Sequence, residues 1–279
     1  MKPSTERGYA CRIARVIRAI VADPGAPHTG DSLAAVAHLS PYHFHRIYRT
    51  LTGESIATTV QRVRLAQAAL GLARADSSVM SITLDAGYES PQAFAHPFRR
   101  YSGVSPSAFP TRQRHLATSH LGAGADAPHV ELVQLPPTDV LCLHREGPIA
   151  TAGLTFRKLV GTVREDGAVP QNLQRIGLCH GDPEVPDDFR YLTGIVPTTP
   201  VELGGAIERV QVAGGLYASH RLVGPYALIS PTFETLFGGW LPNSGYLPDD
   251  PPALELYRSP PQHPPHAYVT DLLIPIRKG

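Results

Sequence analysis

Two groups of side chains in this 279-residue sequence have types and spacings that could do chemistry. The first is Tyr42, His45, Arg46 and Arg49, which recur at i, i+3, i+4 and i+7. On a helix that spacing makes one stripe, aromatic and cationic, with donors long enough to reach base edges and phosphates in a major groove. The second is Glu255 and Tyr257 in "ALELYRS", two apart on a predicted strand and therefore on one face. A carboxylate inside an apolar strand is costly unless paired, so its aromatic neighbours make it a candidate partner for a cation or a hydrogen-bonding ligand. The competing assignment has Glu255 facing solvent or bonding Arg258, with the aromatics serving as core.

The cationic stripe needs a helix, and "SPYHFHRIYRTLTGES" supplies one. Ser40 can cap it, Pro41 suits its first turn, and Gly53 stops it. Phe44, Ile47, Tyr48 and Leu51 form the opposite, core-facing stripe. A shift of 50 residues repeats the unit: Ser40, Pro41, Phe44, Arg49, Gly53 and Ser55 fall on Ser90, Pro91, Phe94, Arg99, Gly103 and Ser105. Upstream, "DSLAAVAHL" and "SITLDAGYE" each predict a short helix, so the chain reads as two helix-turn-helix units. In the second, Gln92, Ala95, His96 and Arg99 are the exposed stripe, and Phe94, Pro97, Phe98 and Tyr101 the buried one. Pro97 cannot supply the N–H that would bond the Ala93 carbonyl. It predicts a kink near Ala93 and a weaker or altered second groove contact, leaving the stripe of the first unit as the main reader. Residues 55 to 76 read as one long helix through Ile56, Val60, Val63, Ala66 and Leu70. It would hold the two units for successive groove visits about 34 Å apart.

The carboxylate lies in a second repeat. A shift of 77 residues overlays residues 129 to 202 on 206 to 279, with Glu131, Val133, Thr155, Phe156, Leu159, Tyr191 and Thr193 among the identities. Each copy reads as strand, "GP" turn, helix, strand, Pro-rich turn and strand. The expected fold is a pseudo-twofold α+β domain, with helices on one side of an antiparallel sheet. Under that shift Ile149, Val163, Leu178 and His180 become Tyr226, Trp240, Glu255 and Tyr257. The asymmetry marks Tyr226, Trp240, Glu255 and Tyr257 as candidate ligand-binding residues, an acid among aromatics.

The formal net charge of +1 conceals a division. Residues 1 to 116 carry 14 Lys and Arg against 7 Asp and Glu; residues 117 to 279 carry 11 against 17. Only the first half suits a polyanion. "ATSHLGAGADAP", residues 117 to 128, reads as a linker. Three scattered cysteines argue against a disulfide framework, and no apolar run approaches a membrane span, which together place the protein in the cytoplasm. "HFH" and "HPPH" lack partners at metal-ligand spacing, so no metal site is expected. There is no P-loop, dinucleotide fingerprint, G-x-S-x-G or Cys/His nucleophile arrangement, and no cofactor is expected.

Residues 5 to 114 resemble the DNA-binding domain of the AraC/XylS family of bacterial transcription regulators. The motifs are "LAAVAHLSPYHFHRIYRTLTGES" and "DAGYESPQAFAHPFRRYSGVSPSAF". The resemblance implies seven helices, with recognition helices starting at Ser40 and Ser90. Its base-facing positions match Tyr42, His45 and Arg46, and Gln92, Ala93 and His96; His43, Arg49, Arg99 and Arg100 are further DNA-binding candidates. Thr83, Pro97 and Pro110 depart from the family's pattern. Residues 129 to 279, after a linker at 115 to 128, resemble the GyrI-like, SHS2-type effector-binding domain through "HREGPIATAGLTFRKL", "GGLYASHRLVGPYALISPTFETLFGGWLPNSGY" and "PALELYRSP". There the family's Glu, matching Glu255, recognises lipophilic or cationic small molecules. The implied whole is a multidomain, ligand-responsive DNA-binding regulator, not an enzyme, with double-stranded DNA and a small effector as partners and RNA polymerase as a further candidate. Two alternatives stay open: a small-molecule hydrolase using Glu255, and a protein-interaction module.

Overall fold

The computed structural model describes residues 3–74, 77–111, 128–144, 152–165, 173–181, 190–197, 207–260 and 263–279. Most of the expected linker, the first "GP" turn and Ile149 lie outside the described residues. The chain divides into two compact units, one built mainly from residues 1–109 and the other from 110–145 and 155–279.

The first unit is helical: α1 (Pro3–Ala22), α2 (Gly30–Val36), α3 (Pro41–Thr52), α4 (Ile56–Arg74), α5 (Val79–Asp85) and α6 (Pro91–Ser102), with helical backbone again at residues 109–111. Local signals fix the ends. Ser40 and Ser90 each accept a hydrogen bond from the backbone N–H three residues on, and Gly53 and Gly103 end α3 and α6 in the left-handed region at φ 72° and 83°. The Phe44 and Tyr48 side chains of α3 are buried with Val16 and Ile20 of α1, Leu33 of α2, and Val60 and Val63 of α4. In the second half-unit Phe94, Phe98 and Phe109 take that role in a chain of tilted and edge-on rings. Helix α6 continues through Pro97, which is half-buried, as is Ile47 at the corresponding place in α3. Thr83, wholly buried, directs its hydroxyl to the Val79 carbonyl 2.7 Å away, which satisfies a polar group where an apolar one is usual.

The second unit is an antiparallel sheet with helices. Its strands are β1 (Glu131–Leu135), β2 (Thr138–His144), β3 (Gln174–His180), β4 (Arg190–Val196), β5 (Glu208–Val212), β6 (Gly215–Val223), β7 (Tyr246–Pro248), β8 (Ala253–Tyr257) and β9 (Val269–Lys278). The order is β1-β6-β9-β8-β3-β4-β2-β5, with β7 pairing β9 at the side. That order is palindromic under exchange of the two repeats, as a pseudo-twofold fold requires. Helix α7 (Ala152–Glu165) buries Phe156, Leu159 and Val163; Leu159 and Val163 pack on the face bearing Leu141, Leu143 and Ile195. The other face curls on its own apolar residues, among them Val140, Leu178, Leu192, Leu254, Leu256 and Leu273.

Three expectations need correction. Each repeat begins with an additional strand, β1 or β5; these are five-residue edge strands whose alternating polar residues weaken the apolar signal. The helix expected over "ISPTFETLFGGWL" is regular only as α8 (Ile229–Thr235), then widens to a π-turn at Leu236–Trp240 and tightens to a 3-10 turn at Leu241–Asn243. Gly238, Gly239 and Pro242 disfavour a regular helix there. The ungapped 77-residue shift also fails in the later strands. Leu141 faces Ile195, whereas Ala218, 77 residues on, faces Ile274, 79 residues on. Continuing through the ladders, Glu255 corresponds to Gly177, its direct cross-strand neighbour, and Tyr257 to Cys179. Leu178 pairs with Leu254 and so lies on the face opposite Glu255.

Candidate functional site

The exposed face of α3 is built as its spacing implied. Tyr42 is 66% exposed, and His43, His45, Arg46 and Arg49 are all exposed. Arg46 donates to the Tyr42 hydroxyl at 2.9 Å and stacks its guanidinium 5.7 Å from the ring centre, so the two side chains stand together. The His43 ring lies 3.0 Å from the cap hydroxyl of Ser40. On α6, Gln92, Ala93, His96, Arg99 and Arg100 are likewise exposed, while Ala95 is half-buried. Helix α4 lies between the two helix-turn-helix units of the helical part, and its Arg64 donates to the carbonyls of Pro24 and Ala26 at 2.8 Å and of Gly87 at 3.5 Å. One guanidinium thus ties the loop after α1 to the turn after α5.

Glu255 lies on the helix-bearing face and is 1% exposed, which rules out the solvent-facing assignment. Arg258 instead reaches Asp271 on the other face. Tyr191 donates to Glu255 Oε2 at 2.6 Å, the Tyr257 hydroxyl donates to the same oxygen, and the Cys179 thiol approaches Oε1 at 3.6 Å. Burial first, and then the Glu255 charge, push both tyrosine hydroxyls well above their ordinary value, so at neutral pH they remain donors. Gly177 makes this approach feasible: a Cβ there would collide with the Tyr191 hydroxyl and lie 2.9 Å from Glu255 Oε2.

Aromatic rings enclose the acid. Tyr226 and Phe156 meet Tyr257 edge-on at 5.0 and 5.1 Å, and Tyr226 stacks on Tyr268 at 4.4 Å. Arg175 holds its guanidinium 5.7 Å from the Phe156 ring and 5.8 Å from the Tyr257 ring, and donates to the Ser259 carbonyl. Thr193 and Thr270, wholly buried on the same face, have hydroxyls without a hydrogen-bond partner among the described residues. The arrangement can hold a hydrogen-bonding or cationic group against a carboxylate in an aromatic setting.

Of the four residues expected at the ligand site, Glu255, Tyr257 and Tyr226 are brought together, whereas Trp240 stacks on Tyr246. Sequence reasoning missed Tyr191, Cys179, Phe156, Arg175 and Tyr268. One signal pointed toward them, Gly177 in the middle of an apolar strand; Tyr191 is identical to Tyr268 across the repeat and so did not stand out by asymmetry.

Residues 128–277 match the family of the GyrI-like small molecule binding domain, and residues 33–112 match a helix-turn-helix domain family. The chain is similar to the RCS-specific HTH-type transcriptional activator RclR of Escherichia coli (strain K12), 32% identical over 106 residues, which are 38% of this chain and 37% of that protein. It is similar also to the HTH-type transcriptional activator AarP of Providencia stuartii, 30% identical over 79 residues, 28% of this chain and 58% of AarP. The chain thus spans less than two thirds of the length of each of these relatives. Among solved structures, the DNA-binding domain of AdpA in complex with a target DNA is 31% identical, covering 37% of this chain and 92% of that one, with a TM-score of 0.35. The family match covers more than half of the chain and includes the strand bearing Glu255. The chain belongs to the GyrI-like small-molecule-binding family and carries an AraC-type helix-turn-helix region ahead of that domain.

Proposed function

We infer that the protein is a transcription regulator in which residues 5–114 bind double-stranded DNA and residues 129–279 bind the small molecule that controls it. The observation that carries the sensing half is Glu255, buried in an apolar strand yet met by two tyrosine hydroxyls and enclosed by aromatic rings. Such a site suits a lipophilic ligand with a cationic or hydrogen-bonding group. The DNA-binding half rests on paired, exposed recognition faces, with Tyr42, His45 and Arg46 as principal base readers and Gln92, Ala93 and His96 as the second set. His43, Arg49, Arg99 and Arg100 take backbone or flanking contacts, and RNA polymerase is the partner an activator would recruit.

Arg46→Ala tests the first half. Loss of a bidentate base contact costs about 1 to 3 kcal/mol and relaxes preference at that base pair, read by competition binding against a selected operator duplex. Unchanged affinity and footprint would overturn the assignment. A thermal-shift screen of the intact protein, repeated with Glu255→Gln, tests the second, because a ligand selective for the native state raises the melting midpoint. Turnover of an electrophile abolished in Glu255→Gln would favour the hydrolase reading, with Glu255 as the acid or base. Stabilisation without turnover would favour the sensor.

A further inference from the structure

The face of the sheet opposite Glu255 carries a cleft of about 530 Å³. Val133, Leu135, Val223, Leu256 and Leu273 make its apolar lining, a size and character within the ordinary range for small-molecule sites. At one side Asp271, only 5% exposed, is clasped by two arginines. Arg221 donates to both its carboxylate oxygens at 2.7 and 3.1 Å, and Arg258 donates at 2.8 Å while also donating to the side-chain amide oxygen (Oε1) of Gln174. Each guanidinium keeps a terminal nitrogen without a partner among the described residues, and the two side chains are 66% and 43% exposed.

The repeat supplies an internal control for what the fold itself needs here. The ladder pair Arg221–Asp271 corresponds by register to His144–Leu192 in the first copy, and Leu256–Asp271 to Leu178–Leu192. Leu192 is buried in a continuous apolar cluster, so a leucine at this place satisfies the sheet. The buried acid and its two arginines are thus a feature of one copy alone, and the buried acid costs desolvation that the leucine does not.

We propose that this cleft is a second ligand site, distinct from the Glu255 site and on the other face of the sheet, which takes an apolar monocarboxylate. Asp271 orients the two forks, and their remaining N–H groups receive the ligand carboxylate. The body of the ligand lies on Leu256, Leu273 and Val133. Glu131, also in the lining, adds a negative charge that acts on Arg221 and disfavours a dianion such as a phosphate monoester.

The test is calorimetric titration of the full chain with 2-naphthoate, 2-naphthyl phosphate and 2-naphthylmethylamine. Saturable binding is expected for naphthoate in preference to the other two. Arg258→Gln should weaken it at least about tenfold, the loss expected of one charge-assisted bond, while Glu255→Gln leaves it unchanged. Arg258→Lys, which keeps the charge without the fork, should fall between, and covers a folding defect in the glutamine variant. Asp271→Leu installs the residue of the first copy and should also lose affinity with the fold intact. Absence of saturable naphthoate binding, equal binding of the amine, indifference to Arg258, or loss in Glu255→Gln would each overturn the proposal.

Discussion

At the scale of single residues, Arg175 changes the chemistry expected of the aromatic site. Its guanidinium already lies over Phe156 and Tyr257, where a ligand cation would stack, so the chain places a cation of its own there. Arg175→Met keeps an apolar contact with the rings and frees their faces. It is expected to tighten binding of an aromatic cation such as N-methylquinolinium roughly 3- to 30-fold, the range of a cation–π contact, read by fluorescence quenching. A second residue with a legible consequence is Asp271. Burial raises its carboxyl, but the hydrogen bonds and charges of Arg221 and Arg258 outweigh that and leave it below the ordinary value. A carboxyl depressed on folding stabilises the fold above its unfolded value near pH ~3.9 and loses that contribution as the pH falls toward the folded value. The urea midpoint of the native chain should therefore drop more steeply between about pH 5 and 3 than that of Asp271→Asn. Parallel pH profiles would show that this cluster does not contribute to acid sensitivity.

At the scale of elements, what the sequence discloses depends on how locally it is encoded. Helices α3 and α6 were legible to the residue because Ser-Pro at the start and glycine at the end act within one turn. Strands β2, β4 and β6 were legible from their apolar runs. The order of strands, and the pairing of Glu255 with Gly177, were not, because register is decided by contacts between distant segments and a small slip sends a side chain to the other face. The same distance hid Tyr191, 64 residues from the acid it serves. Arg64 is a further long-range element contact with a measurable weight. It is half-buried and donates to three backbone carbonyls in two different connections, one of them that of Gly87, which stands at φ 73°. Arg64→Ala leaves those carbonyls to water or unpaired and is expected to cost about 2 to 3 kcal/mol. For a helical domain of this size that lowers the melting midpoint by several degrees per kcal/mol, measurable by circular dichroism. Arg64→Lys should recover only part, since an ammonium cannot span carbonyls from two connections as the fork does.

At the scale of the whole molecule, charge is divided between the two halves. The first 116 residues hold 14 of the 25 basic side chains and 7 of the 24 acidic ones, so attraction to a duplex would come from the segment that carries α3 and α6. Among the described residues no helix is long and apolar enough to cross a membrane. A DNA-binding segment and a ligand-binding segment on one chain make a sensor only if occupancy of one alters affinity at the other. That coupling is a free energy and is reciprocal: if a ligand at the Glu255 site changes operator affinity by some factor, operator must change ligand affinity by the same factor. Typical couplings lie at roughly 5- to 150-fold. The expected result is that saturating operator duplex shifts the dissociation constant of a Glu255-site ligand by a factor in that range, and that the ligand shifts operator affinity equally, both read by fluorescence anisotropy at one fixed salt concentration because duplex affinity depends steeply on salt. In Arg46→Ala the shift in ligand affinity should persist once DNA is raised to saturation, since that change weakens DNA binding without altering what the bound state does to the ligand site. Equal ligand affinity with and without operator would leave two independent binding modules on one chain, and the regulatory reading would fail even if each bound its partner.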